Sequence, residues 1–361
     1  MFRAFAALLG LTLLFCALCF GQTATGTIVG TVADESGAVI PNVTVTITNK
    51  ASGFSRTATT NAEGYYSAAA LPAGQYQVKA EASGFRTLER DADVQVGGTL
   101  TVNMPMSLGG TKEVVTVEAA SNQMNYEKHE IAGVIEHQTI EDLPSNGRDY
   151  IQLATLEPGV QISTGTIGQF NALFYVSVLG SGFRTSVTVD GGNISDNIDV
   201  AGGGQSMNFT QEVVQEFQLS ELNIDLSSPI QTGGSINVVT RSGSNDWHGS
   251  AYFFYRDHNM AAYPNLERVG PSSPFFIRRN PGASLGGPII KDKLFFFFNY
   301  EFLNQVQADS ITTVDPAFAA VQGTYSSPYQ AKKITLRLDY HINGKNNLFV
   351  RYSHDGNDGF G

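Results

Sequence analysis

A chain of 361 residues is long enough for two or three domains. Charged residues make up only 15% of it, below the roughly 25% of ordinary soluble domains, and a net charge of −11 argues against a nucleic-acid partner. Both cysteines, Cys16 and Cys19, lie within the first 21 residues. Loss of that segment leaves no disulfide and no cysteine metal site.

Residues 1–21 read as an export signal. Arg3 supplies the positive start, Ala4 to Phe20 the apolar stretch, and Cys19 and Gly21 the small residues of a cleavage site. The apolar stretch is short for a membrane helix, which wants about 20 residues, and no later run reaches that length. Any later membrane crossing must therefore use strands closed into a barrel.

From Gly26 the chain becomes short β-branched runs separated by turn signals. Thr27 to Val32 precedes Asp34-Glu35-Ser36-Gly37, and Val43, Val45 and Ile47 alternate with threonines up to Thr48. Tyr65-Tyr66, Tyr76 to Ala80 and Thr99 to Met104 are the following strands, with turns at Asn61–Gly64, Leu71–Gly74 and Ser83–Phe85. This spacing predicts a β-sandwich over residues 22–108. The stretches GTVADESGAVIPNVTVTI, TNAEGYY and LPAGQYQVKAEASGF resemble the carboxypeptidase regulatory-like domain, a transthyretin-like sandwich. No zinc-ligand pair accompanies it, so a spacer or docking module is preferred over sugar binding, which some related folds perform.

Gly109-Gly110-Thr111-Lys112 opens a linker over 109–123, containing the extended apolar run Glu113-Val114-Val115-Thr116-Val117. A run of this kind can add to a partner's sheet edge, and it equally suits the last strand of the sandwich or the first strand of the next unit. Residues 124–245 form that unit, a small mixed α/β one. A helix is expected from about Arg148 to Leu156, capped by Ser145 or Asn146 and stopped by Glu157-Pro158-Gly159. Strands are expected at Phe174–Val178, Ser186–Val189, Val214–Leu219 and Ser235–Thr240, with a glycine pair at Gly233-Gly234.

Asp190, Asn193, Asp196 and Asp199 are hard oxygen ligands, but they lack calcium-loop spacing, and a glycine-rich turn with solvated carboxylates is preferred. Gly202-Gly203-Gly204 is followed by no Lys-Ser/Thr, so it is no phosphate loop. The six histidines contain no His-Glu-x-x-His, and there is no Gly-x-Ser-x-Gly elbow. No catalytic, cofactor or metal residues are assigned.

Residues 246–361 alternate in a distinctive way. Trp247, Gly249, Ala251, Phe253 and Tyr255 share one face, while His248, Ser250, Tyr252, Phe254 and Arg256 share the other. Leu294 to Phe302 and Ile334 to Ile342 repeat the pattern, and Asn346 to His354 continues it. Apolar residues outward and polar residues inward suit a strand whose outer solvent is lipid. Tight turns at Lys291-Asp292-Lys293 and Asn343-Gly344-Lys345 alternate with long connections, at 258–282 and Asn304 to Gln330, as in outer-membrane barrels. Five strands fit before Gly361, ending in a DGNDGFG loop. The smallest such barrels have about 8 strands, so a longer parent protein is expected.

The order of these segments resembles the Oar-like TonB-dependent receptors. The resemblance is carried by LPSNGRDYIQLATLEPGV, VTVDGGNISDN, VVQEFQLSELNIDLSSPIQTGGSINVVTRSGSNDWHGSAYFFYRD, RRNPGASLGGPIIKDKLFFFFNYE and ITLRLDYHINGKNNLFVRYSHD. One departure is Leu226–Gln231, where the family usually shows a Ser-Ala-Glu-Tyr-Gly-like stretch. The resemblance implies a mainly β protein: signal peptide, transthyretin-like sandwich, small mixed α/β plug over 124–245, and the first strands of an incomplete outer-membrane antiparallel β-barrel. It further implies a non-enzymatic receptor or transporter in the outer membrane with a periplasmic N-terminal domain. The plug would gate passage of an unidentified substrate, carbohydrate or peptide among the candidates, energised by a TonB-type inner-membrane complex. Glu113, Val114, Val115, Thr116 and Val117 would then be the energy-coupling segment, outer-membrane lipid a partner, and no cofactor is implied. The alternative is an exported carbohydrate-binding or surface interaction protein that uses its sandwich.

Overall fold

The computed structural model describes residues 25–109, 115–117, 132–143, 145, 148–164, 174–179, 185–196, 204–205, 207–221, 234–260, 274–311, 313–344 and 346–359. The signal segment, Glu113, Val114, Gly233, Asp199 and the departure at 226–231 lie outside them.

Two sheets face each other in the first unit. One joins β1 (Thr25–Asp34) to β4 (Tyr65–Pro72) and carries β7 (Thr99–Thr101) and β8 (Met104–Met106) beside β1. The other runs in the order β3 (Ser55–Thr59), β2 (Thr44–Asn49), β5 (Gly74–Glu81), β6 (Leu88–Val94), β9 (Val115–Val117). Alternation sends Val45, Ile47, Tyr76, Val78 and Ala80 inward against Ile28, Val32, Tyr66 and Leu71. The two tyrosines satisfy their buried hydroxyls by donating to the carbonyls of Val102, at 2.6 Å, and Pro72, at 2.8 Å. Gly30 cannot carry a side chain, because its Cβ would fall 1.9 Å from the Val102 oxygen. The single strand expected at Thr99–Met104 is broken in two. At the break the side chain of Asn103 accepts from the amide of Thr31 at 3.0 Å, taking the place of a ladder bond.

The central unit is built on the mixed order β10 (Ala132–Glu136), β17 (Val214–Ser220), β18 (Ser235–Thr240), β13 (Ser186–Val189), β14 (Gly192–Asn193). β13 and β18 are parallel, and the other neighbours are antiparallel. A short helix α1 (His137–Asp142), a 3₁₀ helix (Tyr150–Leu156) and a hairpin of β11 (Val160–Thr164) with β12 (Phe174–Val178) accompany it. A smaller hairpin pairs β15 (Ser195–Asp196) with β16 (Gly204–Gln205). Ile140, Tyr150, Ile151, Phe217, Leu219, Ile236 and Val238 form its core. Gly234 sits at φ 61° with Val178 and the Ser220 carbonyl within 3.0 Å of where a Cβ would stand, so the turn into β18 requires glycine. The helix expected at Arg148–Leu156 is a 3₁₀ helix without a side-chain cap. Asp149, at its N-cap position, turns away to pair with Lys333 instead.

The third unit is an antiparallel meander of β19 (His248–Asp257), β20 (Phe276–Ile290), β21 (Leu294–Ile311), β22 (Gly323–Asn343) and β23 (Asn346–Gly359). Crossing a bilayer takes about 9–11 residues per strand, yet β21 has 18 and β22 has 21. Much of the expected connection at Asn304 to Gln330, and the end of the one at 258–282 from Phe276 onward, is therefore strand. Ile311 pairs with Gly323 and Leu303 with Ala331, so the hairpin continues through polar residues. The expected DGNDGFG loop is corrected likewise, since Asp355–Gly359 pairs with Tyr329–Lys333. In these extensions the outward residues are mostly polar, so the apolar alternation that reveals a strand disappears while the backbone pairing persists and Gln305, Ser327, Tyr329 and Ala331 stay buried on the other face.

The outward face carries Trp247, Phe253, Tyr255, Leu285, Phe298, Tyr300, Leu336, Leu338, Val350 and Tyr352, all exposed. The inward face buries Asn280, Ser284, Phe295, Phe297, Asn299, Glu301 and Thr335 against the central unit. Among the described residues no helix is long and apolar enough to cross a membrane, which leaves crossing by strands untouched.

Candidate functional site

The seam between the central unit and the inward face of the third sheet concentrates the buried charge. Arg148, at φ 59° just before the 3₁₀ helix, lies with its guanidinium 4.4 Å from the ring centroids of both Tyr252 and Phe254. It faces Glu301 at 3.4 Å and Glu212 at 3.7 Å. Tyr252 donates to Glu301 at 2.6 Å. Glu212 also accepts from Ser250 at 2.6 Å, Ser284 at 2.8 Å and Arg241 at 3.0 Å. Burial works against the charge of Glu212, but these hydroxyls and the two arginines outweigh it, holding its carboxyl below the usual carboxylate range.

A second cluster forms around Asp190. Its φ of 48° is a conformation Asp tolerates better than most residues, and it brings the carboxylate back over β18. There it accepts from the amide of Thr240 at 2.9 Å and its hydroxyl at 2.7 Å. Arg337 of β22 reaches it at 3.2 Å and Arg351 of β23 at 2.9 Å. The solvated turn expected here is therefore corrected for Asp190: its side chain is 5% exposed and bound by two guanidinium groups. Lys333 and Asp149 make a third link at 3.3 Å, and the amide of Asn208 donates to Asp355 at 3.0 Å. Each intact buried pair is close to neutral for stability, but stripping one partner costs about 3–5 kcal/mol. The arrangement holds the central unit in one register against the sheet.

The sandwich meets both neighbours at the end where the tight turns lie. The amide of Val96 donates to Glu216 at 2.5 Å, and Gln95 donates to Glu136 at 2.9 Å. Burial pushes Glu216 up to about 7; the Val96 amide opposes this, and the charges of Asp93 and Glu136 add to it. Asn245, between β18 and β19, donates to the Ala51 carbonyl at 2.9 Å, and Phe54 lies 5.2 Å from His341. A cavity of about 790 Å³ separates the three units, reached by Asp93, Glu136 and Glu216 from one side and Arg241, Arg337 and His341 from the other.

Of the residues assigned from sequence to a coupling segment, Val115, Thr116 and Val117 form β9, parallel to β6 with Val115 beside Leu88 and Val117 beside Arg90. Glu113 and Val114 lie outside the described residues. Sequence reasoning did not find Arg148, Glu212, Glu301, Arg337 or Arg351 as a set. Glu301, Arg337 and Arg351 carried one signal, charge on the inward face of strands whose other face is apolar, and Arg148 and Glu212, outside any strand, carried none.

Residues 27–107 match the carboxypeptidase regulatory-like domain family, and residues 239–333 match an outer membrane beta barrel domain family. The TonB-dependent transporter Oar of Myxococcus xanthus is 30% identical over 308 residues, covering 80% of this chain. The chain spans 27% of that relative's length. Among solved structures, the siderophore receptor PirA of Acinetobacter baumannii aligns at 19% identity with a TM-score of 0.45, over 63% of this chain and 32% of PirA. The outer membrane transporter YddB of Escherichia coli aligns at 12% identity with a TM-score of 0.48, over 63% of this chain and 33% of YddB.

Proposed function

We propose, for a chain that is a homologue of the TonB-dependent transporter Oar and an outer-membrane protein, that it is the gating and energy-receiving part of a receptor passing substrate across the outer membrane. We divide it accordingly into a signal (1–21), a periplasmic sandwich (22–108), a coupling linker (109–123), a plug (124–245) and the start of the barrel (246–361). The observation that carries the reading is the seam: two arginine–carboxylate clusters pin a separate mixed unit to the inward face of an antiparallel sheet whose other face is apolar. A unit held by discrete ionic contacts is sealed at rest and released by a pull that separates partners together.

The pull would arrive through Val115–Val117. This three-residue strand pairs in parallel with β6 at the edge of the sandwich, and such a strand can exchange one sheet edge for another, as peptide strands do in β-augmentation. The partner would be a TonB-type inner-membrane complex. The reading is non-enzymatic, because the buried charges are engaged with one another across the seam.

Crosslinking tests it. Thr116→Cys in the outer membrane is expected to form a disulfide with cysteines placed along the edge strand of the TonB-type periplasmic domain, and Thr116→Cys combined with Val115→Pro is expected to lose it. A protein that reaches the outer membrane, shows heat-shifted mobility and yields no crosslink would overturn the coupling role.

A further inference from the structure

The sandwich touches the other two units through two turns, one on each. Turn 95–98, between β6 and β7, lies on the central sheet. Its Val96 amide and Gln95 side chain donate to Glu216 and Glu136 at 2.5 and 2.9 Å, and a Cβ on Gly97 would fall 2.3 Å from the side chain of Gln218. Glu216 and Gln218 leave β17 on the side away from Phe217 and Leu219, which fill the central core. The contact therefore uses a face that the central unit does not need for its own packing.

Turn 49–54, between β2 and β3, lies on the tight turns of the third sheet. The Ala51 carbonyl accepts from the amide of Asn245 at 2.9 Å. Asn245 is fastened to the turn between β20 and β21, where its side chain donates to the Asp292 carboxylate at 2.7 Å and accepts from the Asp292 amide at 2.9 Å. Gly53, at φ 69°, makes room for the same carboxylate, which would stand 2.5 Å from a Cβ there. The ring of His341 packs on Phe54 of the sandwich and Phe295 of the sheet, with centroids 5.2 and 5.3 Å away.

Both turns belong to one packed body, because β2 and β6 flank β5 in the same sheet and Lys50 of the first turn pairs with Asp91 of β6 at 2.7 Å. The sandwich thus spans from the central unit to the third sheet. Its two ends are unequal. Towards the sheet it has a buried aromatic ring in the contact, a backbone hydrogen bond and two close backbone approaches. Towards the central unit its hydrogen bonds fall on Glu136 and Glu216, which stand directly opposite each other on β10 and β17, and like charges so placed repel. Asp93 of the sandwich lines the same cavity and adds a third carboxylate.

We propose that the sandwich is a brace, which holds the central unit closed against the third sheet and parts from that unit, while staying on the sheet, when the unit moves. This rests on the reading of the central unit as a gate. Only the contact that breaks sets the cost of opening, since the one that holds is present in both states.

The test uses the full protein bearing this chain in planar bilayers, with potassium chloride conductance as the probe and urea to unseat the gate. Gln95→Glu turns a donor facing Glu136 into a carboxylate, and is expected to lower the urea midpoint of conductance by about 1 M. Gln95→Glu with Glu136→Gln exchanges donor and acceptor and is expected to restore it. His341→Ala, on the side that holds, is expected to leave it unchanged. Gln95→Ala carries the test, with about half the shift, if Gln95→Glu loses heat-shifted mobility. Spin-label pairs on exposed positions follow the parting itself: through the transition Glu63→Cys with Asp142→Cys is expected to lengthen, and Glu63→Cys with Asn347→Cys to hold. A conducting wild type whose midpoint is shared by Gln95→Glu would sink the brace and leave the gate standing. So would a lengthening to Asn347 with the distance to Asp142 held. A wild type that never conducts while the distance to Asp142 lengthens would sink the gate reading and leave the brace.

Discussion

The backbone amide of Val96 donates to Oε1 of Glu216 across 2.5 Å, tying the sandwich to the central mixed unit through a carboxyl that carries a proton more readily than a free one. Glu216 is pushed from 4.5 to about 7, by burial first and then, against the opposing Val96 amide, by Asp93 and Glu136. A raised carboxyl pKa means that the contact is strongest below about pH 4.5, weakens as pH rises towards 7, and is flat above that. A rise from 4.5 to about 7 corresponds to about 3 kcal/mol. Glu216→Gln keeps an acceptor for Val96 and removes the charge. Thermal unfolding at pH 5 and pH 8 is expected to show the variant gaining stability at pH 8 by up to that amount, with its dependence between the two flattened. An unchanged slope would show that the carboxyl does not titrate in this range.

Asp190 is the keystone of the second cluster, so its charge can be tested without disturbing its backbone. Asn adopts a positive φ as readily as Asp, so Asp190→Asn retains the turn at φ 48° while leaving Arg351 without its carboxylate partner and Arg337 with Asp339 alone. A destabilisation of about 3–5 kcal/mol is expected for the loss of a buried partner, read as a lowered unfolding midpoint. Arg337→Met combined with Arg351→Met in the Asp190→Asn background is expected to recover part of it, because the under-compensated cations are then gone. A midpoint that stays put in Asp190→Asn would show the central unit to be seated by packing alone.

The elements most legible in the sequence are apolar or β-branched runs and strands whose alternation is reversed. Ser235–Thr240 and Val214–Ser220 are largely buried and emerge where their apolar runs put them, and Trp247 is 63% exposed on the outward face, as the reversed alternation requires. Strands such as Ser55–Thr59 and Leu88–Val94 carry no such mark, since SRTAT and LERDADV hold too few apolar residues to define a face. The seam was illegible for a different reason. Arg148, Glu212, Glu301 and Arg351 are far apart in the chain, and only the docking of one unit into another makes them neighbours. Asp190 was visible as an acidic turn, but its arginines lie 147 and 161 residues later, where no local spacing rule reaches (337 − 190 and 351 − 190).

Trp247 is the single tryptophan of the chain, and it reports directly on the lipid-facing surface. Its indole lies 2.9 Å from where a Cβ on Gly287 would stand and 5.6 Å from the ring of Phe296. Brominated acyl chains are expected to quench its emission in reconstituted protein, and aqueous iodide is expected to quench it little. Gly287→Val would fill the space beneath the ring, lifting it outward, and is expected to shift its emission to longer wavelength without loss of heat-shifted mobility. Strong iodide quenching in the unaltered protein would place Trp247 in water rather than against lipid.

The length of β21 and β22 sets where the outer surface lies. Ser326, paired with Ala308, falls six residues beyond Lys332, counting outward along β22, and is exposed (332 − 326). Asn245, whose side chain donates to Asp292 at 2.7 Å, is at the opposite end beside the sandwich. Residues 22–361 contain no cysteine, so single cysteines introduced there can be read against that background. Ser326→Cys is expected to react with a membrane-impermeant maleimide on intact cells, and Asn245→Cys only after the outer membrane is permeabilised. The reverse pattern would turn the sheet over in the membrane.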